Sequence, residues 1–308
     1  MENRIEISNE NYSSLNIGAK ISDYMKLIKV SLSIMVVFSS VIGYLLAPKV
    51  VEYDWRMVIL LFIAGMLVTG SANAINQVVE KDTDALMKRT ASRPVAAGRM
   101  SVTEGWAFAV ITGIAGMFLL GYYFNWLSAG LALFSLFLYA FIYTPLKKVN
   151  AIAVLVGAVP GALPCLIGWA AGNDTLSTGG WALFAVQFLW QFPHFWAIAW
   201  IAHGDYTKAG FRLLPSENGP TKFTALQTVA WSVLLLPVTL IPFFIGMCSY
   251  SDVKGAISIV IIVLANIFMI TRCMGLYKKM DVPSARKVMF GSYMYLPVVL
   301  LALLLSKI

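Results

Sequence analysis

One charged stretch of the chain, NQVVEKDTDALMKRTASRP, holds the side chains best suited to chemistry. Asn76, Glu80 and Asp84 recur every four positions, so a continuous helix would stack their oxygens on one face, about 5–6 Å apart. Carboxylate and amide oxygens are ligands for a hard divalent cation such as Mg²⁺. Arg89 and Arg93 follow with the same spacing, and guanidinium groups bind phosphate oxygens two at a time. The stretch therefore predicts a site for a magnesium-bound diphosphate.

The apolar helix that leads into this stretch carries two asparagines, Asn73 and Asn76. Polar side chains inside a membrane span are costly and usually functional, so both asparagines are predicted to orient the acidic cluster. The alternative is that Glu80 and Asp84 are solvated charges at a helix end. In that interpretation Lys88 is one of the basic residues that fix the membrane orientation.

A second group of polar residues lies in the apolar segment QFLWQFPHFW. Gln187, Gln191 and His194 follow i, i+4, i+7 spacing and share one helical face. Pro193 leaves the carbonyl group of Leu189 without its helical donor. Three interpretations of an imidazole within the membrane stay open: an interhelical hydrogen bond, a ligand to a porphyrin iron, or a base.

Two inner loops supply further candidates. Asp205 and Tyr206 follow the polar segment directly, although a lone aspartate in a loop is more often solvated than catalytic. Lys147 and Lys148 lie at the end of another apolar segment, where the positive-inside rule accounts for them and diphosphate binding is the alternative. The sequence contains no hydrolase triad, no phosphate-binding glycine loop and no zinc-binding group of His and Cys.

The composition identifies the chain as an integral membrane protein. Of its 308 residues, 59% are apolar and only 12% are charged, with a mean hydropathy of +0.77, whereas soluble domains are about 25% charged. Uncharged segments predict an all-α fold of nine transmembrane helices, the third and fourth joined near Phe124-Asn125. The eighth, Gly255–Thr271, is predicted to be the shortest. Three scattered cysteines predict neither a disulfide framework nor a thiolate metal site.

The net charge of +8 is explained by its placement rather than by a nucleic-acid partner. With a cytoplasmic N-terminus, nine spans put all but four of the 23 lysines and arginines in the tail and the cytoplasmic loops. The four exceptions are Lys49, Arg56, Lys254 and Lys307. The positive-inside rule therefore predicts a multi-pass protein of the inner (cytoplasmic) membrane, with its C-terminus outside and no nucleic-acid partner.

The chain is predicted to consist of a tail and one membrane domain. Residues 1–22 are polar and lack the apolar core of a signal peptide, which predicts a flexible cytoplasmic tail before a transmembrane domain at 23–308. Two long inner loops, 80–104 and 203–222, each follow the second helix of a four-helix set. This arrangement indicates a repeat of spans 1–4 and 5–8, with the ninth added. It predicts that both loops lie over one central cavity.

Taken together, these motifs resemble those of the UbiA superfamily of intramembrane prenyltransferases, over nearly the whole chain from about Lys26. The strongest blocks are NQVVEKDTDALMKRTASRP, YTPLKKVNAIAVLVGAVPGALPCLIGW, WQFPHFWAIAW and DYTKAG. The stretch that ends at Arg93-Pro94 and the element Pro193-His194-Phe195 resemble the branch of the superfamily that acts on heme. Many members carry a second carboxylate four residues after the position of Asp205. This chain has Ala209 there, so Asp205 would act alone, as is usual in the heme branch.

The resemblance implies nine transmembrane helices around a central cavity. It also implies transfer of a farnesyl group from farnesyl diphosphate to a vinyl group of heme b (protoheme IX), which gives heme O and diphosphate. The implied cofactor is Mg²⁺, with the ligands Asn76, Glu80, Asp84 and Asp205. The implied catalytic residues are Asn73, Asn76, Arg89, Arg93, His194 and Asp205. The implied substrate-binding residues are Lys88, Lys147, Lys148, Gln191, His194 and Tyr206.

The implied partners are heme b, farnesyl diphosphate and membrane lipids, with heme A synthase or a terminal oxidase as candidate protein partners. Two other functions stay open. One is a prenyltransferase of the same superfamily that acts on an aromatic or quinone precursor. The other is a secondary transporter, which is also built from kinked spans around polar groups at the membrane midplane. The acidic cluster with arginines directly after it favours the enzyme.

Overall fold

The computed structural model describes residues 17–216 and 218–308, and these are helical almost throughout. The only β-pairing among them is an isolated bridge between Cys248 and Lys307. The helices are α1 (Ile17–Leu27), α2 (Val30–Leu46), α3 (Trp55–Val79), α4 (Lys81–Ala85), α5 (Val102–Tyr123), α6 (Trp126–Phe137), a π-helix (Leu138–Tyr143), α7 (Thr144–Leu146), α8 (Ala153–Asn173), α9 (Thr178–Ile201), α10 (His203–Lys208), α11 (Lys222–Phe244), α12 (Val253–Lys279) and α13 (Val282–Leu305).

Seven helical segments of the described chain are long and apolar enough to cross a membrane: α3, α5, α6 continued to Leu146, α8, α11, α12 and α13. The pair α1 and α2, bent by 48° at a short break, makes an eighth. Helix α9 has 24 residues, enough for a ninth crossing, but its glutamines, histidine and tryptophans lower its hydropathy. The protein is therefore a multi-pass, all-α membrane bundle, close to the predicted nine spans.

Two predicted boundaries differ from the structure. The eighth span was predicted to be the shortest, which is wrong, because α12 has 27 residues and is the longest of the described helices. The last turns of α12 carry charged side chains, and a span boundary drawn from hydropathy therefore leaves them out. One of them, Arg272, places its guanidinium 4.7 Å from the ring centroid of Phe268, one turn earlier. The predicted limit of the tail at residue 22 falls inside α1, and residues 1–16 lie outside the described residues.

Side-chain caps explain where several helices begin. A side-chain oxygen at the cap position accepts a hydrogen bond from a backbone N–H two or three residues later, at Asp54, Ser101, Asn125, Thr221, Asp252 and Asp281. Asn125 also donates from Nδ2 to the carbonyl oxygen of Ala170 at 2.7 Å, which ties the start of α6 to α8. The predicted junction of the third and fourth spans near Phe124-Asn125 is confirmed.

Helices α2 and α8 cross with their backbones in close contact, because glycines line the crossing. A Cβ atom at Gly168 would lie 1.8 Å from the carbonyl oxygen of Ser40, and one at Gly43 would lie 2.3 Å from the carbonyl oxygen of Cys165. Small residues allow membrane helices to approach in this way, where van der Waals contact drives association. The crossing fixes the first span against the fifth.

We expect the substitution Gly168→Ala to destabilise the bundle by about 1–3 kcal/mol, the usual cost of overpacking. The clash is with a backbone carbonyl, which a side-chain rotation does not relieve. The measurement is the thermal unfolding midpoint of the purified protein in detergent. Gly130→Ala is the matched control, because a Cβ at Gly130 in α6 meets no atom within 4 Å. Equal midpoints for the two variants would contradict the predicted role of the crossing.

Candidate active site

The three oxygen-bearing residues of the predicted cluster lie together at the end of α3. Helix α3 ends at Val79, but Glu80 N donates to Asn76 O at 3.0 Å and Asp84 N donates to Glu80 O at 2.7 Å, so the four-residue spacing is preserved. Asn76 Nδ2 also donates to Glu80 Oε2 at 2.8 Å. Glu80 is 5% exposed and Asp84 is 0% exposed. The interpretation of these carboxylates as solvated helix-end charges is therefore wrong.

Each of the two carboxylates faces a cation. Arg93 Nη1 donates to both oxygens of Asp84, at 2.8 and 2.6 Å, and Lys147 Nζ forms an ion pair with Glu80 Oε1. Burial raises the pKa of Asp84, and the adjacent Arg93 opposes this shift. Burial lowers the pKa of Lys147, and Glu80 opposes that shift. The two ion pairs thus hold the buried carboxylates in place.

Sequence reasoning missed a third cation, Lys29, because it looked like one more basic residue at a membrane surface. Lys29 lies at the break between α1 and α2 in the left-handed backbone region, with φ 50°. Its Nζ donates to Asn76 Oδ1 at 3.3 Å. Together with Arg93 and Lys147 it places three basic side chains around two carboxylates. Basic groups gathered in this way favour a multiply charged anion at the site, alone or with a metal ion.

Asn73 and Gln77 hold the break that presents Lys29. The interruption leaves the backbone carbonyls at 26–28 available to side chains. Gln77 Nε2 donates to the first two, at 3.1 and 2.9 Å, and Asn73 Nδ2 donates to the third at 3.1 Å. In this structure Asn73 therefore contacts the break rather than the carboxylates. Its polarity inside the span has a positioning role, shared with Gln77, which the sequence did not single out.

An unusual helix end positions Lys147. Pro145 has no N–H to donate, and the turn before it widens into a six-residue π-helix that ends at Tyr143, a form that is frequent at functional sites. Lys147 Nζ lies 5.0 Å from the ring centroid of Tyr143 and 5.2 Å from that of Phe211, within cation–π range. Gly157 leaves room for the Tyr143 ring, since a Cβ atom there would lie 2.5 Å from it.

The two long loops, 80–104 and 203–222, meet beside this cluster. Arg89 Nη2 donates to the hydroxyl oxygen of Tyr206 at 3.0 Å, and its guanidinium lies 5.6 Å from the Tyr206 ring centroid. Arg212 N donates to Lys147 O at 2.8 Å. Burial raises the pKa of the Tyr206 hydroxyl, and Arg89 opposes that shift. The first loop, the second loop and the π-helix therefore converge at one end of the bundle.

Asp205 lies partly buried in the first turn of α10, next to Tyr206. Within the described chain its carboxylate takes part in no hydrogen bond or ion pair. Nor do residues 17–216 and 218–308 contain a group of three or more His, Cys, Asp or Glu side chains close enough to bind one metal ion. The oxygen-bearing side chains that lie nearest one another are those of Asn76, Glu80 and Asp84, which successive hydrogen bonds connect.

Three predicted substrate-binding residues do not contact the cluster in the structure. Lys88 and Lys148 are exposed. Gln191 Nε2 donates to the carbonyl oxygens of Ala158, at 3.0 Å, and Gln187, at 3.2 Å, and so ties α9 to α8. Gln187 Oε1, one turn away, is buried without a hydrogen-bond partner among the described residues.

His194 is 7% exposed and lies in α9 against α13. Its Nδ1 is 2.7 Å from Ser292 Oγ. The imidazole stacks on Trp190, with centroids 4.8 Å apart and planes at 14°, and the Tyr293 ring meets it edge-on at 5.1 Å. One ring nitrogen therefore makes the interhelical hydrogen bond that was one of the three interpretations. Nε2 takes no hydrogen bond from the described residues.

Known sequences match this chain over most of its length. A sequence model of the UbiA prenyltransferase family matches residues 36–296. Protoheme IX farnesyltransferase of Cytophaga hutchinsonii is 44% identical over 285 residues, which cover 92% of this chain and 97% of the relative. Protoheme IX farnesyltransferase of Flavobacterium johnsoniae is 39% identical over 298 residues, which cover 96% of this chain and 97% of the relative.

Solved structures resemble this protein in fold. The structure is similar to that of a digeranylgeranylglyceryl phosphate synthase in membranes, with a TM-score of 0.74 and 22% identity, covering 94% of this chain and 98% of that one. A UbiA homologue from Archaeoglobus fulgidus bound to GPP and Mg²⁺ has a TM-score of 0.67 and 13% identity, covering 91% of this chain and 99% of that one. Both neighbours have the helical membrane fold described above.

Proposed function

The chain belongs to the UbiA prenyltransferase family, and on that premise we propose that it transfers the farnesyl group of farnesyl diphosphate to a vinyl group of protoheme IX. The products are heme O and diphosphate. Relatives that match along nearly their whole length at 44% and 39% identity are named for this acceptor and this donor group. The structural observation that carries the proposal is the buried pair of carboxylates surrounded by three basic side chains.

The acidic cluster fits a magnesium ion by its donor chemistry. Two carboxylates and an amide supply hard oxygen atoms at one buried place, and the Archaeoglobus homologue was solved with this metal. The residues that would hold it are Asn76, Glu80 and Asp84, with Asp205 as the ligand or support of a second ion. When bound, the metal neutralises diphosphate oxygens as a Lewis acid.

The cations of the site would stabilise the leaving group. The C1–O bond of farnesyl diphosphate breaks with its electron pair on the diphosphate, and the allylic cation left behind is stabilised by delocalisation. Fixed charges at the leaving group therefore lower the barrier most. Arg89, Arg93 and Lys147 are assigned to this role. Arg93 and Lys147 already lie beside the carboxylates, so metal ligands and diphosphate-binding cations are adjacent before the reaction.

The acceptor would lie beside His194. The π electrons of the vinyl group form the new bond to C1, and water adds to the cation on the porphyrin side and loses a proton. This leaves a hydroxyethylfarnesyl group. His194 is assigned to holding the heme, because its Nε2 has no partner in the described chain.

The enzyme is assigned to the cytoplasmic membrane, with its N-terminus and the diphosphate site on the cytoplasmic side. The support is the concentration of lysine and arginine in the tail and in the loops on that side. Farnesyl diphosphate would thus leave its charged group at the polar end of the bundle while its chain lies among apolar helices.

The experiment that tests the function offers the purified protein a choice of acceptors. Heme b and phenolic quinone precursors are supplied together with farnesyl diphosphate and Mg²⁺, and the products are identified by mass spectrometry. We expect heme b to gain one farnesyl group and one hydroxyl group, and chelation of the metal to stop the reaction. A prenylated phenol with unchanged heme would refute the acceptor. Ion-coupled flux without diphosphate release would instead indicate a transporter.

We expect Lys29→Met to raise the KM for farnesyl diphosphate by about tenfold or more, since a hydrogen bond to a charged group contributes about 1.5–3 kcal/mol. The residue meets the site only through Asn76, so kcat should fall less than the KM rises. Steady-state kinetics with varied farnesyl diphosphate measure both constants. Lys26→Met is the matched control, because that side chain is exposed in the preceding turn. A KM equal to that of the control would remove Lys29 from the site.

A further inference from the structure

Ser292 in α13 has its hydroxyl group between two short contacts. Its Oγ lies 2.6 Å from the carbonyl oxygen of Met289 and 2.7 Å from His194 Nδ1. The side chain is 0% exposed, so bulk water does not compete for either contact. A hydroxyl has one proton and two lone pairs. Only one of the two contacts is therefore donated by Ser292.

The shorter contact decides where the proton lies. Two oxygens at 2.6 Å without a proton between them would bring lone pairs together, so the Ser292 hydroxyl donates to the Met289 carbonyl. The remaining contact then needs its proton from the imidazole. Ser292 Oγ accepts from His194 Nδ1–H, and in the neutral imidazole the other nitrogen, Nε2, keeps its lone pair.

Trp190 fixes the plane of the same imidazole. Its ring is stacked on His194 at 4.8 Å and 14°, and its Nε1 donates to the carbonyl oxygen of Ser292 at 2.9 Å. The hydroxyl of Ser292 therefore sets the tautomer of His194. The backbone carbonyl of Ser292 anchors the Trp190 ring, which in turn fixes the plane of the imidazole. Both contacts come from the last span, which the sequence did not connect with His194.

We infer that Ser292 is a positioning residue that holds His194 as the Nδ1–H tautomer, so that Nε2 is presented as an axial ligand to the iron of the porphyrin substrate. The inference rests on the proposed function, because it needs a heme at His194. Histidines that bind metals usually donate their second N–H to an oxygen acceptor, and loss of that acceptor weakens metal affinity by about 10–100-fold. Ser292 supplies such an acceptor before the substrate arrives.

The test is a titration of the purified full-length protein with hemin, followed by the absorption spectrum of the bound heme. We expect Ser292→Ala to weaken binding by about tenfold or more and to reduce the spectrum of histidine-ligated iron. Ser292→Thr keeps the hydroxyl and should restore both. Ser258→Ala is the matched control, because that serine is also 0% exposed within a span but has no hydrogen-bond partner in the described chain. It should leave the titration unchanged.

A His194→Gly variant with added imidazole separates the inference from the proposed function. Free imidazole chooses its own tautomer, so Ser292→Ala should have no further effect on heme binding in that background. If His194→Gly binds hemin with an unchanged spectrum, the heme site at His194 is refuted and the inference falls with it. If His194→Gly loses the spectrum while Ser292→Ala keeps it, the positioning role alone is overturned.

Discussion

Asp84→Asn is expected to lower the rate of farnesyl transfer by about 10³-fold or more, with the protein still inserted and folded. The substitution keeps the shape of a side chain that is 0% exposed and removes only its charge. It thereby removes a magnesium ligand and the partner of Arg93. The reaction barrier depends on the charge that builds up on the leaving diphosphate, so stabilisation of that charge is the largest contribution to catalysis. Product formation per folded protein, measured by mass spectrometry, gives the result.

The matched control for this prediction is Asp82→Asn. Asp82 lies in the same short helix, α4, but is exposed, so its loss should change the rate less than about threefold, as is usual for surface substitutions. Glu80→Gln should behave like Asp84→Asn, because Glu80 is the second buried carboxylate. Near-normal turnover in either buried variant would contradict the assignment of the cluster to metal binding.

The acidic cluster was predictable because its spacing is local. Four-residue intervals place side chains on one helical face whatever the rest of the chain does. The backbone bonds from Asn76 to Glu80 and from Glu80 to Asp84 keep that geometry even though α3 ends between them. Burial of the two carboxylates was not local information. It depends on the tertiary fold, which brings Lys147 from a separate segment to Glu80.

Lys29 and Ser292 could not be predicted, because their importance comes from tertiary contacts. Lys29 lies 47 residues before Asn76 in the chain, and its position depends on a helix break that no sequence pattern marked. Ser292 lies 98 residues after His194, in a span whose apolar pattern says nothing about its neighbours. Polar residues within spans, such as Asn73 and Gln77, were the available signal, since they mark where backbone carbonyls need donors.

The spans were predictable as apolar segments, although several of their ends were not. A hydropathy boundary falls at the first charged residue, whereas a helix continues as long as its backbone bonds are made. The last turns of α12 therefore extend past Arg272 to Lys279. The break before α2 shows a different case, in which one helix ends and the next begins almost at once. Side chains from α3 donate hydrogen bonds to the free backbone carbonyls at 26–28, so the break is stable.

Arg93→Met is expected to abolish transfer and also to destabilise the protein by about 3–5 kcal/mol, the cost of leaving a buried charge without its partner. Asp84 is fully buried, and both of its oxygens accept from Arg93. Activity and stability then separate in the double variant Asp84→Asn/Arg93→Met. It should regain most of the lost stability, because no unpaired charge is left, while transfer stays absent.

Thermal unfolding midpoints in detergent and product formation measure the two effects on the same samples. Lys81→Met is the control for loss of one positive charge, since Lys81 is exposed at the start of α4. If the double variant is as unstable as Arg93→Met, Asp84 and Arg93 do not neutralise each other's charge in the way that their geometry indicates. If instead Arg93→Met is stable but inactive, Arg93 acts on the diphosphate alone, and Asp84 holds its charge through the other cations of the site.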